Sequence, residues 1–114
     1  MVLYILNTLI IPIDFDKYPT VSIKVRKVTV EEAKQLIASQ PNFISAVGHE
    51  ATAKVLSQLL GVNIPFNRQS IYLQPGDRAI HFFLRTRLPE GRVLTEDELS
   101  NKLDYWLVLS EVIN

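Results

Sequence analysis

The chain has 114 residues, 47% of them hydrophobic, which is enough for the core of a single domain spanning residues 1–114. Twelve basic side chains balance twelve acidic ones, so the basic surplus of a protein that coats long nucleic acid is missing, although a few converging arginines could still hold a small anion. There is no cysteine, which excludes disulfides, a thiol nucleophile and a zinc finger, and no apolar run approaches the roughly 18 residues of a membrane span. A cytoplasmic protein with no membrane partner is expected.

Met1 to Asn7 reads as a buried first strand; it lacks the basic start and small-residue cleavage site of a signal peptide. Pro12 and Pro19 punctuate a loop. Thr20 to Arg26 alternates, with Val21, Ile23 and Val25 on one face, as a half-exposed strand does. Thr29 and Glu32 have capping-box spacing and open a helix to about Ala38, which Pro41 ends. Phe43 to Val47 is the next strand. A helix from His49 to Leu60 follows, stopped by Gly61.

Val62 to Asn67 is a connection. Gln69 to Gln74 and Ala79 to Arg87 read as two strands of a hairpin, joined by the turn Pro75-Gly76-Asp77. Leu88 to Arg92 is a loop, Thr95 and Glu98 cap a short helix to about Lys102, and Tyr105 to Leu109 is the last strand. The order β-β-α-β-α-β-β-α-β predicts a small α/β or α+β domain, with a mixed sheet of five to six strands flanked by helices.

Chemistry concentrates at Val47-Gly48-His49-Glu50, where a strand passes through glycine into a helix. A helix start carries unpaired N–H groups and partial positive charge, which favour an anion. Gly48 allows a close backbone approach. His49 is one of only two histidines. An isolated histidine is more often an ordinary helix-start residue than a catalyst, but the glycine before it shifts that balance. The helix terminus disfavours imidazolium, so an acid role for His49 needs a nearby anion to restore the proton.

A second cluster, Arg85-Thr86-Arg87-Leu88-Pro89-Glu90-Gly91-Arg92, ends a strand and opens a loop. Arginine suits bidentate phosphate contact, and on a strand Arg85 and Arg87 share a face while Thr86 points the other way. By spacing alone, an ordinary solvated edge strand is the favoured explanation of the cluster. Arg68 and the polar pair Asn7 and Thr8, at the end of the first strand, complete the candidates. His81, inside an apolar strand, reads as packing or an interface, and Tyr105 and Trp106 as core or dimer contacts. No two histidines have metal-ligand spacing, and Asp14 and Asp16 are too few for a cation cage. A Gly-x-Ser-x-Gly elbow is absent. No metal and no cofactor are expected.

The Ala46-Val47-Gly48-His49-Glu50-Ala51-Thr52 junction resembles that of the viral-type ring nucleases, the type III anti-CRISPR family. So do Tyr4-Ile5-Leu6-Asn7-Thr8, Asn67-Arg68 and Arg87-Leu88-Pro89-Glu90-Gly91-Arg92-Val93-Leu94. The resemblance covers nearly the whole chain, in order. It implies a homodimer that binds cyclic tetra-adenylate across its interface and cleaves it without metal, silencing type III CRISPR signalling in the host cytoplasm if the protein is viral.

By resemblance, His49 stands at the catalytic histidine, and Arg87 and Glu90 at the active-site arginine and glutamate. Asn7 and Arg68 stand at ligand-contact positions, with Thr8, Gly48 and Thr86 beside them. The segment around Glu90 resembles a loop that closes over the ligand. Where some viral members carry a serine three positions after the asparagine, this chain has Ile10, and Thr8 is the hydroxyl nearest to replace it. The rival readings are a binding protein that sequesters the nucleotide uncut, which would not need His49, and a small structural or regulatory viral protein.

Overall fold

The computed structural model describes residues 2–40, 42–85 and 104–114. Five strands and two helices fall within them: β1 (Leu3–Leu6), β2 (Ile23–Val28), α1 (Val30–Ala38), β3 (Ile44–Ala46), α2 (Glu50–Leu60), β4 (Arg78–Leu84) and β5 (Tyr105–Val112). One mixed sheet has the order β2-β5-β4-β1-β3. β1 runs parallel to both β3 and β4, and β5 is antiparallel to β4 and β2. The fold is therefore the expected small α+β domain on a mixed sheet.

Local signals set the helix ends. Glu32 N donates to Thr29 Oγ1 at 3.1 Å and Thr29 N donates to Glu32 Oε1 at 3.2 Å, which is the reciprocal cap that the spacing predicts. Arg26, 2.8 Å from Glu32, together with the Thr29 N–H, holds the Glu32 carboxyl below its ordinary range. Gly61 ends α2 at φ +70°, a left-handed conformation that glycine adopts without a Cβ penalty.

Side-chain alternation then separates two layers. Leu3, Ile5, Ile80, Phe82, Leu107 and Leu109 face the helices and pack on Ala33, Ile37, Ala53 and Leu56. On the opposite face, Leu6, Ala79 and Val112 pack under Ile13 and Leu73, which come from connecting segments. No helix among the described residues is long and apolar enough to cross a membrane.

Two expectations need correction. Gln69 to Gln74 is not a strand, and the hairpin does not form. Both sides of β4 are already taken, by β1 and by β5, so no backbone edge remains for it to pair with. Residues 69–74 run instead under the sheet, where Leu73 is buried and its N–H reaches Pro12 O at 2.9 Å. The second strand is also displaced from residues 20–26. It runs Ile23–Val28, and Val25 stays 49% exposed because β2 is an edge strand that the covering segments reach only in part.

The turn at Pro75-Gly76-Asp77 does form, with Gly76 at φ +92°. Its buried Asp77 carboxylate accepts Val2 N at 3.0 Å and Gln74 N at 2.9 Å, tying the chain's start to β4. Asp77→Ala leaves both donors without that acceptor. A loss of about 2–6 kcal/mol is expected in a urea titration, from one to three for each such group.

Candidate functional site at the carboxyl edge of the sheet

Because β1, β3 and β4 are parallel, their carboxyl ends share one edge of the sheet, where ligands of α/β sheets commonly sit. Asn7 and Thr8 follow β1, and Val47-Gly48-His49 follows β3. His49 is the N-cap of α2, at φ −135° and ψ 121°. Its side chain makes no capping bond, which leaves the first-turn N–H groups to other acceptors. The exposed imidazole has Nδ1 3.4 Å from Thr52 Oγ1, which leans the ring back over the helix start.

Asn7 and Gly48 are joined directly: Gly48 N donates to Asn7 Oδ1 at 3.3 Å. Arg68 crosses the same glycine. A Cβ on Gly48 would stand 3.3 Å from Arg68 Cγ, so the missing side chain lets the arginine stem lie close.

Residues 65–67 fix that crossing. Ser45 Oγ donates to Pro65 O at 2.6 Å, Asn67 Nδ2 donates to Ser45 O at 2.6 Å, and Asn67 N donates to Val47 O at 2.9 Å. Val47 and Phe66 form a parallel bridge, so this segment runs beside the end of β3 like a short extra strand. Sequence reading treated residues 62–67 as a plain connection. The pairing of Asn67 with Arg68 was the signal that this segment matters.

Asn7, the adjacent Gly48 and His49, and Arg68 are therefore brought together from three separate segments. Thr8 lies beside them, exposed, and lines a cleft of about 350 Å³ with Ile10, Pro12, Gln69, Ser70 and Tyr72. Ile10 presents an apolar wall there, 65% exposed. Arg85, at the end of β4, stacks its guanidinium 4.7 Å over Trp106 and lies 3.5 Å from Asp104, so this arginine is engaged within the sheet. Thr86, Arg87 and Glu90 lie outside the described residues, as does the expected helix at residues 95–102. Among the described residues, no three His, Cys, Asp or Glu side chains gather as metal ligands would.

His81 is a polar group that sequence reading assigned to packing or an interface. It is fully buried on the sheet face away from the helices, with Nδ1 2.8 Å from Thr8 O and Nε2 2.7 Å from Ser110 Oγ. A carbonyl only accepts, so Nδ1 carries the hydrogen and Nε2 accepts from the serine hydroxyl. Burial pushes its pKa below the ordinary histidine value, and the Thr8 bond opposes that only in part. The unfolded chain therefore binds the extra proton first, near pH 6.5, and stability falls as pH drops below that value. Urea midpoints at pH 7 and pH 5 should show this slope, and a His81→Leu variant should lose that part of it.

This geometry has a family context. The model of the family described as STIV B116-like matches residues 3–107. The chain belongs to the STIV B116-like family.

An uncharacterized protein 26 of Sulfolobus islandicus filamentous virus is 43% identical over 97% of this chain and 92% of its own. An uncharacterized protein ORF117 of Acidianus two-tailed virus is 44% identical over 82% of this chain and 79% of its own. Relatives also occur outside viruses: the uncharacterized protein YddF of Bacillus subtilis is 36% identical over 67% of this chain. Among solved structures, B116 of Sulfolobus turreted icosahedral virus superposes with a TM-score of 0.82 at 24% identity, over 97% of this chain and 99% of its own, so the likeness is one of fold. Family membership read from the sequence is thereby borne out for this STIV B116-like protein.

Proposed function

We propose that this STIV B116-like protein is a metal-independent ring nuclease, a homodimer that binds cyclic tetra-adenylate and cuts it to linear di-adenylate with 2′,3′-cyclic phosphate ends. The observation that carries the reading is the convergence of Asn7, Gly48, Arg68 and His49 at a helix start. Helix-start N–H groups, the stem of an arginine and an imidazole lie together, chemistry that suits a phosphate. The adjacent cleft, of about 350 Å³, is within the range of small-ligand pockets and has both apolar and polar walls for a base.

In this mechanism a ribose 2′-oxygen attacks the neighbouring phosphorus in line, and the bond from phosphorus to the 5′-oxygen breaks. The leaving 5′-oxygen takes a proton from His49. Glu90 either keeps His49 protonated, the 2′-OH proton then passing to solvent, or accepts the 2′-OH proton itself. Arg87 offsets charge on the pentacoordinate phosphate. Holding the ring with the 2′-oxygen in line supplies much of the rate. A two-fold dimer presents two such sites to a ligand that is itself two-fold symmetric, so both halves of the ring can be cut.

The deciding experiment is timed chromatography of cyclic oligoadenylates of different ring sizes with the protein, with and without EDTA. Di-adenylate with cyclic phosphate ends should accumulate from the four-membered ring at the same rate in both conditions. Strong inhibition by EDTA would replace this mechanism with metal catalysis. Retention of an intact ring would leave a sequestering protein.

A further inference from the structure

His81 lies on β4 beside the Asn7–Thr8 turn, on the sheet face away from the helices. Its Nδ1–H donates to Thr8 O at 2.8 Å, and its Nε2 accepts from Ser110 Oγ at 2.7 Å, with both His81 and Ser110 fully buried. Thr8 directly follows Asn7, whose side chain accepts the Gly48 N–H at 3.3 Å. A continuous path thus runs from the interior of β5, through His81 on β4, to the turn after β1, and across to the residue before His49.

We infer that His81 is a positioning residue: by holding the Thr8 carbonyl it fixes the backbone of the Asn7–Thr8 turn, and so keeps the Asn7 carboxamide on the Gly48 N–H and the anion site preformed. The physical reason is conformational. Asn7 lies just past the last ladder residue of β1, Leu6, and a side chain at such a position can swing with its backbone. Anchoring the next carbonyl from inside the sheet removes that freedom before ligand arrives, which favours binding. Few side chains could do this from a fully buried position. The group must donate to a carbonyl on one side and have its other polar atom satisfied on the other, and Ser110 provides that second partner.

The chemistry of the ring makes the inference specific. Asparagine places its amide nitrogen close to where Nδ1 of histidine stands, so His81→Asn can still donate to Thr8 O. His81→Leu fills similar space with no donor, and Ser110→Ala removes the outer partner while leaving the Thr8 bond. The inference rests on the ring-nuclease reading for its kinetic consequence, but its structural core can be tested apart from it.

The experiment measures two quantities in the full chain for the wild type, His81→Asn, His81→Leu and Ser110→Ala. One is hydrogen exchange at the Gly48 amide by NMR. The other is KM and kcat for cyclic tetra-adenylate. His81→Leu should speed Gly48 exchange and raise KM about tenfold, the size expected from losing one well-placed hydrogen bond, with kcat nearly unchanged. His81→Asn should restore most of both, and Ser110→Ala should fall between.

Equal Gly48 exchange and equal KM in the Asn and Leu variants would overturn the inference, because a merely structural role would not respond to the donor. If the wild type neither binds nor cuts the ring, the functional reading fails instead, while Gly48 exchange still decides whether His81 holds the turn. If His81→Leu does not fold, His81→Gln takes its place, because its amide stands near the Nε2 position and so keeps the Ser110 partner without the donor to Thr8 O: Gly48 exchange equal to that of His81→Asn would overturn the inference.

Discussion

Replacing His49 with alanine is expected to slow turnover of cyclic tetra-adenylate by about 10²–10⁴-fold, the usual worth of one positioned general acid. Folding should hardly notice. The side chain is exposed, forms no helix cap, and has its nearest polar partner 3.4 Å away at Thr52. Loss of such a surface group usually changes stability by less than about 0.5 kcal/mol. Binding should survive as well, since Arg68, Asn7 and the helix N–H groups remain. Single-turnover rates together with equilibrium binding separate these effects, and unchanged cleavage would end the assignment of His49 as the acid.

Phe82→Ala should do the opposite and lower stability by about 3–5 kcal/mol, a large share of the 5–15 kcal/mol that holds a typical domain together. Phe82 is fully buried on the helix-facing side of β4, directly opposite Leu107 on β5, with its ring 5.4 Å from that of Tyr105. Truncation leaves a cavity between the sheet and the helices. A denaturant titration should show the loss as a lower midpoint with an unchanged slope. A cost under about 1 kcal/mol would mean that the layer collapses to fill the space, in the way the most forgiving core sites do.

Features of the molecule that depend on neighbours in sequence were legible without a structure. The Thr29–Glu32 cap, the Gly61 stop and the glycine–histidine junction each lie within a few residues, so composition and spacing reveal them. Pairing between distant segments was not legible in the same way. Residues 69–74 alternate like a strand, yet whether they pair depends on which edges of β4 are free, and β1 and β5 occupy both. His81 looked apolar in context because its partners, Thr8 and Ser110, lie 73 and 29 positions away. The crossing of Arg68 over Gly48 likewise depends on Asn67 reaching back to β3. At the site itself, residue chemistry marked Gly48 and His49, whereas the resemblance was needed to weigh Asn7 and Arg68.

The parallel neighbours of β1 have a consequence for how the protein acquires its function. The bond between Asn7 and Gly48 spans 41 positions, and the one between Thr8 and His81 spans 73. Loops of that length must close before either contact forms, and parallel pairing of this kind is slow. A nascent or partly unfolded chain therefore holds none of the assembled pocket, even where α1 and α2 are already helical. Competence should arrive in one step with the central strands, so refolding followed by ligand binding and refolding followed by sheet signal should rise together.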